Sequence, residues 1–321
     1  MTMLDSDERT ASRLTEFGPN PFGNDPFGNN PFGAHPLDVE ADGLVAEARH
    51  AARADRRRLR RDIAEASRTQ RFEVQYQPRI ALATGRPTGA EALLRWPHRR
   101  RGMVPPAVFV PLAEQSGQIV AIGGWALGAA CAEAVAWPEP TIVSVNVSAR
   151  QLAHTLLLDQ VGLALEQSGL SPDRLELELT ERLLIDVDVE MLLTLSAIRD
   201  LGVGLALDDF GTGFASLATL KRLPLTTLKL DRSLVREVPH DAEDAAIVRA
   251  AIVTGHALGL TVVAEGVETE APRGFLAECG CDEGQGWLLG LPMPGLQVRG
   301  VLEGSEPPRP SASHPHPGFS P

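Results

Sequence analysis

The chain has 321 residues, of which 43% are hydrophobic and 22% charged, and this size suits one large globular domain with extensions. Its net charge of −12 argues against nucleic acid held on a basic surface, although an anionic small ligand held through metal ions stays compatible with it. The three cysteines, an odd count without paired spacing, do not indicate a disulfide framework.

The N-terminal region, residues 1–37, predicts a disordered tail because glycine and proline are dense there. A Pro-Phe-Gly triplet recurs three times between Pro21 and Gly33. The simpler interpretation is a flexible tail, and the alternative is a linear docking motif whose phenylalanines anchor a protein partner. No basic-then-apolar signal sequence opens the chain, so we expect a cytoplasmic protein.

Residues 38–70 change character and predict a helical connector, since they are rich in Ala, Arg, Glu and Leu and lack proline. The arginine cluster at 56–61 fits a solvated helix face, with an anionic membrane or a protein partner as the alternative. The longest apolar run, Ile119 to Ala132, is too short to cross a bilayer and predicts a buried helix.

Residues 71–303 alternate strand-like apolar runs with helical stretches, which predicts an α/β protein with parallel pairing and helical crossovers. About 230 residues of this pattern suit a (β/α)8 TIM-like barrel. Residues 304–321 are rich in Pro, Ser and His and predict a second disordered tail.

Five of the predicted strands share a feature: each ends in a charged or amide side chain. They span residues 142–146, 175–178, 204–209, 227–231 and 261–265. Their period-2 alternation places apolar side chains on one face and small or polar ones on the other, inside the barrel. Polar residues at the carboxyl ends of barrel strands indicate an active site, and converging carboxylates need cations, for which divalent metals are the simplest choice. Internal salt bridges that merely fill the barrel are the alternative.

A series of short motifs then gives the chain a family resemblance over roughly residues 70–300. In chain order they are Tyr76-Gln77-Pro78, Glu91-Ala92-Leu93, Leu94-Arg95-Trp96, Asn146-Val147-Ser148, Glu178-Leu179-Thr180-Glu181, Asp208-Asp209-Phe210-Gly211-Thr212-Gly213, Lys229-Leu230-Asp231, Glu265-Gly266-Val267-Glu268 and Gln285-Gly286. This set closely resembles the EAL-domain phosphodiesterases, bacterial signalling enzymes that hydrolyse cyclic di-GMP. The resemblance implies a barrel with an antiparallel first strand, a two-metal site with Mg2+ or Mn2+, and a linear pGpG product.

The resemblance also implies a role for each matching residue. The implied metal ligands are Glu91, Asn146, Glu178, Asp208 and Asp209. The implied catalytic residues are Glu265, Lys229 and Gln285. The implied substrate contacts are Gln77, Arg95 and Asp231, and the implied supports behind the ligands are Glu181, for the loop that begins at Asp208, and Glu268. Oxygen donors of this kind suit hard divalent cations.

The chain departs from the family pattern in the loop after Asp209, where Phe214 and Ala215 replace the usual Tyr-Ser. We expect metal binding to survive, because neither residue is an implied ligand, but loop closure or dimer coupling to change. The resemblance favours a homodimer through the face near residues 214–236. Two other functions stay open: a receptor that binds cyclic di-GMP without turnover, and a protein-interaction module of the same fold.

Overall fold

The computed structural model describes residues 36–152, 156–186, 188–213 and 217–307. Its helices are α1 (Pro36–Arg68), α2 (Pro106–Ser116), α3 (Gln118–Ala134), α4 (Ala149–Leu152), α5 (Leu156–Ser168), α6 (Val189–Asp200), α7 (Leu217–Arg222), α8 (Arg232–Val235), α9 (Ala242–Ala257), α10 (Glu270–Glu278) and α11 (Gly295–Leu302). Its strands are β1 (Glu73–Ala81), β2 (Pro87–His98), β3 (Gly102–Val104), β4 (Ile142–Val147), β5 (Leu175–Thr180), β6 (Gly204–Phe210), β7 (Thr227–Leu230), β8 (Thr261–Ala264) and β9 (Glu283–Gly284).

The strands form a closed barrel. Its order is β1-β9-β8-β7-β6-β5-β4-β2, and pairing of β1 with β2 closes the ring. β1 runs antiparallel to both of its neighbours, while the pairs from β2 through β4 to β9 are parallel. The predicted (β/α)8 barrel with an antiparallel first strand is therefore confirmed. β3 lies outside the ring and pairs with the end of β2 as a hairpin.

The alternation predicted from the sequence determines which side chains point into the barrel interior and which pack outside it. On β5 the three leucines, Leu175, Leu177 and Leu179, are buried in the main hydrophobic core. Burial of each leucine contributes about 1.5–3 kcal/mol. The glutamates between them, Glu176 and Glu178, are also buried, but on the opposite side of the strand, which is the barrel interior. The same strand thus supplies the core with its apolar face and the interior with charge.

The C-terminal part of α1 packs against the barrel through a thin apolar stripe. Leu59, Ile63 and Ala66 are buried in a second core cluster that includes Phe72 and Trp96. The rings of Phe72 and Trp96 lie 5.9 Å apart. Because the buried positions recur at three- and four-residue spacing, one face of the helix contacts the barrel and the other carries its charges.

The predicted buried apolar helix is α3, whose residues Ile119, Leu127 and Cys131 lie in the interior. Among the described residues, no helix combines the length and the apolar character that crossing a membrane requires. The Pro-Phe-Gly repeats and the histidine-containing C-terminal segment 308–321 lie outside the described residues, as do Phe214 and Ala215. The proposed division into tails, connector and barrel stays a prediction.

Candidate active site

The amide and carboxylate side chains at the strand ends converge around Glu91. Its Oε1 accepts a hydrogen bond from Asn146 Nδ2 at 2.6 Å, and its Oε2 accepts one from Gln285 Nε2 at 2.7 Å. Gln285 Nε2 also lies 3.2 Å from Gln77 Oε1, and Gln77 in turn donates to the Gly290 carbonyl at 3.0 Å. Residues from β1, β2, β4 and the segment after β9 are therefore joined at one end of the barrel.

Lys229 lies at the centre of this cluster, fully buried on β7. Its Nζ contacts oxygen atoms of four carboxylates: Glu265 at 2.5 Å, Glu178 at 2.8 Å, Asp208 at 3.2 Å and Glu91 at 3.6 Å. One ammonium cannot balance four carboxylates, so the cluster keeps an excess of negative charge in a largely desolvated place.

Asp209 joins the cluster through an irregularity in β6. The strand pairs regularly with β7 at Leu207 and again at Phe210, and the register shifts between them. Asp209 has a φ of 59°, in the left-handed region that aspartate tolerates better than most residues. Consecutive side chains of a regular strand point to opposite faces. Here, instead, carboxylate oxygens of Asp208, Asp209 and Glu265 lie within 4.8 Å of one another.

The crowding of like charges shifts the protonation of the cluster. Burial, and next the charge of Asp208, raise the pKa of Glu265 to about 8 and the pKa of Asp209 to about 6. Burial and the charge of Glu91 likewise raise the pKa of Glu178 well above its ordinary value. Burial alone would lower the pKa of Lys229, but the carboxylates around it, Asp208 first, hold that pKa well above the ordinary one. Lys229 is therefore a fixed cation.

The donor set fits a divalent metal. Glu178 Oε1 and Gln285 Oε1 are buried, and neither accepts a hydrogen bond within the described part of the chain. A buried oxygen without a partner costs about 1–3 kcal/mol, which a cation would offset. The three carboxylates gathered at Asp208 are all hard oxygen donors, as Mg2+ and Mn2+ prefer. Asn146, itself an implied ligand, lies next to Glu91 and donates a hydrogen bond to it through its side-chain amide nitrogen.

Glu181 holds the loop that follows the two aspartates. Its Oε2 accepts hydrogen bonds from the backbone N–H groups of Gly211, Thr212 and Gly213 at 3.0–3.3 Å and from Thr212 Oγ1 at 3.0 Å. Several donors converge on one oxygen atom, so a single carboxylate fixes the course of the chain directly after Asp209. Glu268 is exposed at the mouth of the site, and the supporting role predicted for it stays a prediction.

The two remaining implied substrate contacts are engaged with their own surroundings. Arg95 lies on the same face of β2 as Glu91, and its Nε donates to Gln75 Oε1 at 3.0 Å. Asp231 caps α8, with its Oδ1 accepting from the Ser233 backbone N–H at 2.9 Å. Each therefore has a position at the rim, and Asp231 also has a structural task that its motif did not predict.

A cleft of about 160 Å3 opens onto the cluster. Besides predicted residues it is lined by Arg232 and Trp287, which were not predicted as site residues. Both directly follow a predicted motif, Lys229-Leu230-Asp231 in one case and Gln285-Gly286 in the other. Their position at the carboxyl end of a barrel strand was the signal that could have identified them.

Comparison with known proteins gives consistent matches. The EAL domain family profile matches residues 59–292. The bifunctional diguanylate cyclase/cyclic di-GMP phosphodiesterase MucR of Pseudomonas aeruginosa is 44% identical over 245 residues, covering 75% of this chain and 36% of MucR. The cyclic di-GMP phosphodiesterase NbdA of the same species is 42% identical over 241 residues, covering 74% of this chain and 31% of NbdA.

A solved structure, the PaMucR phosphodiesterase in a c-di-GMP complex, matches with a TM-score of 0.72 and 43% identity. The match covers 75% of this chain and 99% of that one. The chain thus spans about a third of the length of the two curated relatives, and nearly all of the solved domain.

Proposed function

This chain belongs to the EAL domain family, and from that premise we propose that it hydrolyses cyclic di-GMP, opening one phosphodiester to give linear pGpG. The observation that carries the proposal is the group of five carboxylates around Lys229, with two buried oxygens left unpartnered. Each residue that the family resemblance implies as a metal ligand is present, and a receptor without turnover would not need the complete set. The relatives named as cyclic di-GMP phosphodiesterases support the same substrate.

We infer that Mg2+ or Mn2+ is bound by Glu91, Asn146, Glu178, Asp208 and Asp209. When bound, such ions neutralise the phosphodiester and make water a stronger nucleophile near neutral pH. Hard cations of this type bind oxygen donors and accept incomplete protein coordination, which suits a site open to a cleft. The preferred ion is a question for the assay.

The chain itself supplies charge and orientation. Lys229 Nζ is a permanent positive charge fixed by four contacts, and it stabilises negative charge that develops on the phosphate. Glu265, which contacts Lys229 Nζ, and Gln285, which donates to Glu91, orient the attacking water by hydrogen bonds. In the reaction the water loses a proton, its oxygen bonds to phosphorus, and the released ribose oxygen takes up a proton.

Substrate binding is assigned to the rim. The Arg95 guanidinium suits bidentate contact with a phosphate or a guanine edge. Gln77 lies on β1, which pairs with β2, and Asp231 directly follows β7 at the same rim. A homodimer through the face near residues 214–236 also remains part of this proposal. Its loop, which includes Phe214 and Ala215, lies partly outside the described residues.

The test is hydrolysis of cyclic di-GMP by the purified chain in Mg2+ or Mn2+, with chromatography that resolves pGpG from the substrate. An EDTA control and a binding titration in Ca2+ accompany it. Metal-dependent pGpG formation is expected. Tight binding without product would make the chain a receptor. A chain that neither binds nor hydrolyses cyclic di-GMP would instead point to protein partners of the N-terminal repeats.

A further inference from the structure

Two arginine-rich segments that are far apart in the sequence meet on the surface of the barrel. One is the last part of α1, and the other is the turn of the β2–β3 hairpin. Arg101 of the hairpin pairs with Asp55 of α1, with one nitrogen–oxygen contact at 3.2 Å. His98 Nε2 lies 3.2 Å from Asp62 Oδ2. These two contacts hold the hairpin turn against the helix.

Five arginines that neighbour these contacts in the sequence are exposed, and we call them the basic face. It consists of Arg57, Arg58, Arg61, Arg99 and Arg100, all exposed. Asp55 and Asp62, the acidic residues at the junction, are already engaged with the hairpin. The basic face therefore keeps a positive charge on a chain whose net charge is −12, and it attracts an anionic partner to this side of the barrel.

Two apolar side chains of the elements that follow the hairpin turn are exposed. Met103 of β3 is 51% exposed and Val108 of α2 is 44% exposed. The aromatic rings of this region, Phe72, Trp96 and Phe109, are buried in the core. Single-stranded nucleic acids are bound on exposed aromatic rings that stack with bases, and this face offers none among its described residues. Clustered arginines with flexible apolar side chains close to them in the sequence match an interfacial membrane contact instead.

We propose that the basic face binds the anionic phosphate headgroups of a lipid bilayer, with Met103 entering the boundary between headgroups and acyl chains. Clusters of four to eight basic residues bind anionic membranes, each contributing a similar increment to affinity. The acidic remainder of the chain is repelled by the same surface, so the molecule would bind in one orientation. The proposal does not depend on catalysis of any particular reaction.

This contact has a consequence for the candidate active site. β2 carries Glu91 and Arg95 and continues without interruption into the hairpin that holds Arg99 and Arg100. The proposed membrane contact thus lies directly after β2, the strand that carries Glu91. A bilayer-bound chain would present the rim of its barrel at a fixed distance from the headgroups.

Flotation of the full chain with vesicles tests the proposal. Vesicles of phosphatidylglycerol and phosphatidylcholine are compared with vesicles of phosphatidylcholine alone at 0.15 M salt. Binding to the anionic vesicles only is expected. The double variant Arg99→Gln/Arg100→Gln should lose about 30-fold in affinity. The double variant Arg58→Gln/Arg61→Gln should lose about as much, since both segments form one surface.

The matched control is Arg86→Gln/Arg150→Gln, which removes two exposed arginines outside both the basic face and the proposed dimer face and should leave vesicle affinity within about twofold. Circular dichroism checks that each variant folds. Absence of wild-type binding to the anionic vesicles would overturn the proposal, as would equal losses in the control and the two test variants. Retention of duplex DNA by the wild type without vesicle binding would assign the face to nucleic acid and would likewise overturn it.

Discussion

Two layers of charge lie inside this barrel, and they are built from the same strands. In the lower layer Arg79 pairs with Glu176 and with Glu283, the latter at 2.8 Å, and Thr227 donates to Glu176. In the upper layer Lys229 faces four carboxylates, with Asp209 beside them. β5 and β7 contribute to both, two residues apart on each strand.

The two layers differ in how many carboxylates each cation faces: one arginine faces two glutamates in the lower layer, and one lysine faces four carboxylates in the upper layer. The lower layer is buried and closed, and its arginine engages both glutamates at once. The upper layer has an excess of carboxylates, unpartnered oxygens and an opening to solvent. A buried ion pair is weak evidence for net stabilisation, although breaking one lowers the free energy of unfolding. A cluster with a larger excess of carboxylates lowers the free energy of unfolding unless a bound cation balances the charge. The lower layer thus supports the barrel and the upper layer is poised for a ligand.

Removal of one carboxylate from the upper layer should have the largest functional effect. We expect Glu91→Ala to lower the rate of cyclic di-GMP hydrolysis by at least about 100- to 1,000-fold, since a charge-stabilising group at the reacting centre is worth that much. Asp208→Asn should act in the same way. The variant chains should stay folded, because three of the four carboxylates that contact Lys229 remain in each variant.

The control for this prediction is Glu139→Ala, which removes an exposed carboxylate outside the cluster. Steady-state turnover and circular dichroism of all three variants provide the measurement. Normal turnover by Glu91→Ala would show that the upper layer has been assigned to the wrong chemistry.

Removal of the cation from the lower layer should instead affect folding. Arg79→Met leaves Glu176 and Glu283 buried without their partner, and a broken buried pair costs about 3–5 kcal/mol. The triple variant Arg79→Met/Glu176→Gln/Glu283→Gln should recover much of this loss, because no uncompensated charge remains. Denaturant unfolding of the three chains measures the effect. A stable Arg79→Met chain would contradict the supporting role of the lower layer.

The two layers also differ in how far the sequence predicts them. The alternation on β5 correctly predicted that the side chains of Glu176 and Glu178 point into the barrel interior. It could not distinguish the role of Glu176 from that of Glu178. The partner of Glu176 is Arg79 on β1, and that contact depends on how an antiparallel strand closes the ring, which is a property of the whole barrel. The residues of the upper layer were predicted together because they belong to the motifs that carry the family resemblance, and their roles stay predictions.

Asp209 marks a second limit of prediction. Regular alternation would turn it away from Asp208, and only the irregular register of β6 and the left-handed backbone bring both to one site. The glycines that follow in the motif hint at an unusual turn but not at its direction. Similarly, the arginines of α1 and of the hairpin are far apart in the sequence, and the contacts of Asp55 and Asp62 that connect these segments depend on the tertiary structure.

Addition of a divalent ion should stabilise the chain, and more so at pH 8 than at pH 6. In the metal-free chain the pKa of Glu265 is about 8 and that of Asp209 about 6, both above the ordinary range for carboxyl groups. A raised carboxyl pKa in the folded state costs stability as pH rises from the unfolded pKa through the folded one. A cation offsets this cost at pH 8, while at pH 6 protons compete with it.

Thermal unfolding with and without Mg2+ or Mn2+ measures this effect. At about 100 times its Kd an ion contributes about 2.7 kcal/mol, which raises Tm by about 5–10 °C in a domain of this size. Glu91→Ala should respond less to the ion at either pH. A shift of equal size in wild type and Glu91→Ala would place the bound ion outside the upper layer.

The smallest effect is expected from Glu181, whose hydrogen bonds hold the loop after Asp209. Glu181→Gln keeps an acceptor for the N–H groups of Gly211, Thr212 and Gly213 but removes its charge. Hydrogen bonds to a charged group are stronger than those to a neutral group by about 1 kcal/mol. We therefore expect turnover to fall about fivefold and the free energy of unfolding to fall by about 1 kcal/mol.

The control is Glu190→Gln, a substitution of an exposed residue on α6. Since the loop positions Asp209, weaker metal affinity should accompany the slower turnover of Glu181→Gln. Unchanged metal affinity with lower stability alone would make Glu181 a support of the fold and separate it from the upper layer.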